Sequence, residues 1–385
     1  MRKQSSKYLG MALAVCLFIT GCGNEKSEAV SVPVASPEKV IVPVQKDEQC
    51  YYIDGRGKQV FSETYEFAGA FSEGMASVKQ EGLYGYIDED GNMVITPAYQ
   101  DAGSMTEGYA VVKRHNLYGY IDKTGREVTD LRDEEAGAFV QGIARVKKEG
   151  RVGFLNTSGE EVIAPAYLSA TDFDGKGYAI VETEKGFGAI DTSGREVVPC
   201  QYDNMGTFAP NGLARIQKGE SWGFVNTKGK EIVPPKYDNV QDFGEDGIAA
   251  VQEYERWRYI DSQGKMIIDK GRKNAWSFSG GRGRITVGGK YGFVDKDGDI
   301  VIETELHSAE DFQENGLAVF QENGKYGAMD FHGNVIVKPQ YDRLGAFNDQ
   351  GYAVAKVKGK YQLVGADGAV MTAPEYDAIG KMTER

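Results

Sequence analysis

The chain has 385 residues and a formal net charge of −13, with 26% charged residues, 50 Gly and only 3 His. So acidic a chain is repelled by nucleic acid and by anionic lipid taken as a whole, so neither is expected to hold it by charge.

The N-terminus reads first as a processing signal. Arg2, Lys3 and Lys7 form a positive segment, and residues 9–20 are apolar and uncharged. That stretch is shorter than the roughly 20 residues a membrane-spanning helix needs. It runs into Ile19-Thr20-Gly21-Cys22, which resembles a bacterial lipobox. The resemblance implies a signal peptide over 1–21, cleavage before Cys22 and acylation of Cys22. Two or more acyl chains hold a protein on a bilayer where one is marginal. An extracytoplasmic location is then expected, anchored by lipid to the outer face of the cell membrane or to the envelope. Losing 1–21 removes three of 44 basic residues and none of 57 acidic ones, so the mature charge is −16. Residues 22–38, rich in Ser, Glu, Lys and Pro, have no core-forming pattern and read as a flexible tether.

From residue 39 the chain is periodic. An aromatic-Gly-aromatic-aliphatic-Asp phrase recurs, as in Tyr84-Gly85-Tyr86-Ile87-Asp88 and Trp222-Gly223-Phe224-Val225-Asn226. With its middle residue as position zero, ten units are centred at 51, 85, 119, 153, 188, 223, 258, 292, 327 and 362, in steps of 34 or 35. Position +6 is Gly in all ten, and position +3 is Asp or Asn in all but the last, Gly365. That pairing predicts a turn whose first side chain accepts backbone amides and whose last residue needs positive φ. Tyr at +14 in seven units, usually shortly after a Pro, predicts an edge strand whose ring packs on the next unit. Ala at −9, with Gly283 as an exception, predicts a crowded inner line. Each unit reads as about three short strands with no helix.

A unit of 35 residues cannot hold a core alone, so neighbours must stack. Phrases such as Gly212-Leu213-Ala214 and Pro234-Pro235-Lys236-Tyr237-Asp238 resemble the bacterial WG-repeat (KWG-repeat) family across roughly residues 40–380. That resemblance implies a β-repeat body, frequently on a cell envelope, without family-wide catalytic residues. Two units depart from it at the central Gly, with Arg258 and Gln362. The expected fold is all-β: a repeat domain over 39–380 stacked as an open twisted solenoid, with a closed propeller-like ring as the alternative, and a tail over 381–385. Ten three-strand units fit poorly with rings of four to eight four-strand blades. Pro43 in the first strand reads as a device that blunts an exposed edge.

No catalytic signature emerges. His115, His307 and His332 sit at three different repeat phases, and no nucleophile elbow, phosphate loop or zinc motif occurs. No enzyme activity, metal or cofactor is expected. The acidic turns at Asp88 and Asp295 lack the spacing of a calcium loop. Cys50 and Cys200 read as two free, partly buried thiols. The one local break in pattern lies between Gly264 and Gly292, where seven basic residues face a single acid, Asp269. Arg272, Lys273, Trp276, Arg282, Arg284 and Lys290 are therefore the candidate patch for an envelope protein or an anionic or glycan polymer. The function expected is a non-catalytic envelope lipoprotein that binds such a partner. A structural scaffold is the alternative, and a wall-active hydrolase a more distant one.

Overall fold

The computed structural model describes residues 33–384; Cys22 and the signal segment 1–21 lie outside them. Among the described residues the only helix is a short 3-10 turn, Pro37–Lys39, and the remainder is ten small antiparallel sheets. A complete sheet has four strands in sequential order, as in Phe67–Ala68, Met75–Gln80, Leu83–Asp88 and Met93–Tyr99. The first strand has only two residues in every sheet but the one that begins with Asn274–Ser279, too short to leave a hydrophobic alternation in the sequence. Hence four strands stand where the sequence suggested three.

The sheets form a closed ring, a ten-bladed β-propeller, and the expectation of an open solenoid is overturned. The cause is a phase shift. After the fourth strand of one blade, the chain goes straight into the first strand of the next. Each sequence unit thus donates a strand forward, and the tenth unit has only blade 1 to receive it. Val40–Lys46 of blade 1 pairs with Gln49–Ile53 on one side and with Ala378–Ile379 on the other. Thr383–Glu384, read from sequence as a tail, also pairs with Val40 and Ile41. Pro43 is therefore interior to a sheet and not an edge guard. It is tolerated because that position contributes only its carbonyl to the first strand, accepting Gly380 N–H. The equivalent amides of Ile180 and Ala250 go to the hydroxyls of Thr171 and Ser277.

Residues 33–38, assigned from sequence to the tether, lie on this seam. Ala35 N–H donates to Gln350 O, Tyr352 donates its hydroxyl to Ala35 O, and Gly55 N–H donates to Pro37 O.

The repeated residues act as expected at the turn. Gly at +6 has φ between +74° and +85° in all ten units, where a side chain would be strained. The Asp or Asn at +3 accepts the amides of +5 and +7, as Asp122 does from Thr124 and Arg126. The central Gly has a different cause. The fourth strand bulges across it, so a Cβ on Gly153 would lie 2.6 Å from Ile163 O and from Pro165 N.

Strands alternate direction within each blade. The turns joining strands one to two and three to four therefore share one face of the ring, and the hairpins joining strands two to three lie on the other, with the inter-blade links. The core lies between blades. Tyr99, at +14, is buried with Met75 and Tyr86 of its own blade and with Ala110, Val112 and Ile121 of the next. The rings at +14 thus pack over the following repeat, as expected, and Ala at −9 is the residue they meet. Gly283 replaces that Ala because a Cβ there would lie 2.6 Å from the Phe278 ring. An apolar residue also stands at +9 in every unit, and it is not core everywhere: Val94 and Val162 are 43% exposed on the last strand.

Candidate functional site

Most recurrent polar groups join one blade to the next. Tyr52, Tyr86 and Tyr120 donate their hydroxyls to Gly69, Gly103 and Gly137 carbonyls of the following blade at 2.7–2.8 Å. Beside them runs a row of aromatic joints the sequence reading missed, including Tyr120–Phe139 and Phe224–Phe243 at 4.6 Å between centroids. Glu73 accepts the amides of Glu107 and Gly108, and Glu107 in turn accepts those of Gln141 and Gly142. An Arg at −8 meets an Asp of the next blade three times: Arg145–Asp172 at 2.9 Å, Arg215–Asp242 at 3.2 Å and Arg284–Asp311 at 2.8 Å.

The six candidate residues are not brought onto one surface. Arg284 is an inter-blade rivet: it grips both Asp311 oxygens, donates to Ala309 O at 2.6 Å, and lies 4.2 Å from the Trp276 ring centroid. Arg272 is buried, takes the place of the Tyr at +14, and donates to Gly298 O at 3.0 Å, while its Nε has no partner. Arg282 stands on the opposite face from the hairpins, donating to Phe331 O. Lys273 and Lys290 lie on the hairpin face, with Arg256, which the sequence reading left out, and Arg272 reaches it only in part. Spacing in the chain gave no sign of this split, because consecutive basic residues here alternate between ends of the same sheet.

On the hairpin face a groove of about 430 Å³ runs between blades 7 and 8, lined by Arg256, Gly271, Arg272, Lys273, Asn274 and the Thr286–Gly289 segment. The hairpins around the ring share a further device. The residue at +15, just after the fourth strand, accepts a turn amide of the following hairpin. Glu66 takes Gly82 N–H, Glu134 takes Gly150, Asp203 takes Gly219, Asp238 takes Tyr254, Asp342 takes Lys358 and Asp377 takes Asp47. Gln100 does the same for Asn116 with its amide oxygen. Three units depart, with Leu168, Lys273 and His307 at that position. On the other face a hollow of about 410 Å³ spans blades 7 to 10 and is lined by acids, including Glu245, Asp311, Glu314 and Asp349. There a hydrogen bond to Glu314 raises the Glu245 carboxyl above its ordinary range.

Other candidates are placed plainly. All three His are exposed, and the described residues hold no group of three or more His, Cys, Asp or Glu arranged to bind a metal. Asp88 and Asp295 are occupied by their own turns, each accepting two backbone amides. Cys50 and Cys200 are free and buried, in blades 1 and 5. Burial raises both thiols above their ordinary range. Asp133 stands where most units have the Tyr at +14; it is 2% exposed, with Oδ2 unpartnered, and burial pushes its carboxyl up to about 6.

The fold is shared with a protein of distant sequence. A eukaryotic initiation factor is 12% identical with a TM-score of 0.52, over 81% of this chain and 98% of that one. Hsv2p of Kluyveromyces lactis is 10% identical with a TM-score of 0.34, over 64% and 96%. The first of these likenesses shows the fold alone. No curated protein matches the chain. A repeat propeller of this kind points to binding or scaffolding rather than catalysis. The model of the "WG containing repeat" matches nine consecutive segments, beginning with 52–84 and ending with 326–361. The chain belongs to the WG-repeat family.

Proposed function

We propose that the chain is a non-catalytic, lipid-anchored protein of the cell envelope whose ring offers a rigid surface to an envelope partner, either a protein or an anionic or glycan polymer. One observation carries this reading. The ring spends its recurrent polar groups on joining blades and breaks its own pattern at the boundary of blades 7 and 8, where a cationic groove opens on an acidic body. A departure from a stitching pattern, at a place where the stitch is replaced by charge of opposite sign, fits a surface kept for something outside the ring. The lipobox-like Ile19-Thr20-Gly21-Cys22 supports the anchor. The near-identical stitching of blades 2–4 favours the second reading, an assembly scaffold in which no blade is special.

The test uses the full chain in cells and washed envelopes. Cys22→Ser is expected to abolish labelling by a palmitate analogue and to release the protein from the membrane. The released chain should still rebind washed envelopes saturably. Arg256→Ser with Lys273→Ser should lose the salt-sensitive part of that rebinding. Unchanged rebinding by the double variant would replace the local site with the scaffold. A wall-degrading activity removed by one point substitution would return the protein to the enzymes.

A further inference from the structure

We infer that the groove at the hairpin end of blade 8 binds a compact oxyanion, a ligand carboxylate or phosphate, on the turn amides of Gly288 and Gly289. The argument starts from what the other blades do. In six of them a carboxylate at +15 sits on a hairpin amide, as Glu66 does at 3.1 Å from Gly82 N and Asp238 at 2.8 Å from Tyr254 N. The ring thus displays its own bound state for this turn many times over: an oxyanion on the hairpin amide. In blade 8 the position belongs to Lys273, which cannot accept a hydrogen bond. No described side chain or carbonyl takes a Gly288 or Gly289 amide. Both glycines are exposed with positive φ, at +59° and +81°, so no Cβ crowds the approach.

The surroundings have changed in the same sense. Where the chain supplied a negative charge it now supplies a positive one, and Arg256 of the neighbouring hairpin lines the same groove. Two cations and open amides attract an anion from solution to the place the missing carboxylate would hold. The groove's volume of about 430 Å³ leaves ample room for a carboxylate or a phosphate. Of the other two exceptions, the hairpin following Leu168 already has its Lys185 amide taken by Thr183 Oγ1. At the hairpin following His307 the neighbouring cation, Lys325, is paired with Asp342. This site gives chemistry to the binding reading above, and it stands or falls separately from it.

The experiment titrates the purified full-length protein with glutarate and with inorganic phosphate against chloride at matched ionic strength, read by calorimetry. The expected result is saturable binding of at least one oxyanion at one site. Lys273→Glu, which restores the internal cap, should weaken that binding at least tenfold. Arg256→Ser, at an exposed position, should weaken it severalfold, and it tests the same site if the Lys273 variant does not fold. Tighter binding of glutarate assigns the site to carboxylate ligands, and tighter binding of phosphate to phosphoryl ones. No binding beyond chloride, or equal binding by wild type and both variants, overturns the inference. Oxyanion binding without retention on envelopes would keep this site and overturn the platform reading; the reverse would overturn this site alone.

Discussion

Replacing Asp133 by Asn should stabilise the ring at neutral pH and almost cease to do so in acid. Asp133 lies in the last segment of blade 3, where a Tyr normally fills the gap between blades. Its side chain is 2% exposed with Oδ2 unpartnered, and its carboxyl is pushed up to about 6 from an ordinary 3.8. Burial is the main cause. Arg132 and Lys148 oppose it, and Glu161 adds to it. A raised carboxyl means that the fold holds the proton more tightly than the unfolded chain does. The favourable contribution is therefore complete below about pH 3.8 and disappears as pH rises through 6. A shift of this size is worth roughly 3 kcal/mol at pH 7.5, since one pH unit corresponds to about 1.4 kcal/mol. At pH 4.5 only about 1 kcal/mol of it is felt. Asn keeps the shape and never ionises. Urea unfolding of both chains at the two pH values, each pair under identical conditions, should show the Asn advantage growing by about 2 kcal/mol from pH 4.5 to 7.5. An advantage independent of pH, or an Asn chain weaker at pH 7.5, would refute the reasoning.

Further tests address the joints. Tyr86→Phe should cost about 1 kcal/mol in denaturant unfolding because Gly103 O loses its donor. Tyr259→Phe should be neutral or stabilising, because the buried Tyr259 hydroxyl has no partner. Gly153→Ala should cost more than about 2 kcal/mol, since the new methyl meets backbone at 2.6 Å on two sides, and a soluble, equally stable variant would contradict the bulge. Arg284→Met should cost about 1–3 kcal/mol by leaving Ala309 O and Asp311 unpaired in a half-buried setting, again read from the urea midpoint. Removing residues 377–385 should make the Val40–Lys46 strand sensitive to limited proteolysis, whereas an unclosed stack would lose only a ragged end.

The sequence carried the repeat itself because a turn Gly with φ near +80°, an Ala under a neighbour's ring and a Tyr at +14 are each fixed by local sterics that recur every 34 or 35 residues. Ring closure was not legible. It depends on two-residue strands such as Ala378–Ile379, which leave no pattern, and on an offset between the unit that repeats and the unit that packs. The candidate groove was half legible. An excess of basic residues marked blades 7 and 8, yet only coordinates separate Arg284, consumed by Asp311, from Lys273, which faces open amides. The caps at +15 left no local pattern because all but Asp377 act on a hairpin 16 residues away, Asp377 acts on one 330 residues away, and Glu, Asp and Gln serve equally.

The seam between the first and last repeats also sets an order of events during synthesis. Lys46 and Glu375 pair across 329 residues of chain, at 2.6 Å. The Val40–Lys46 strand therefore has one neighbour nearby in the chain and lacks the other until residues 378–384 are made. Intermediate blades find their partners locally and early, while blade 1 waits on the slowest, most distant contact in the molecule. Closure of the ring thus waits on the synthesis of residues 375–384.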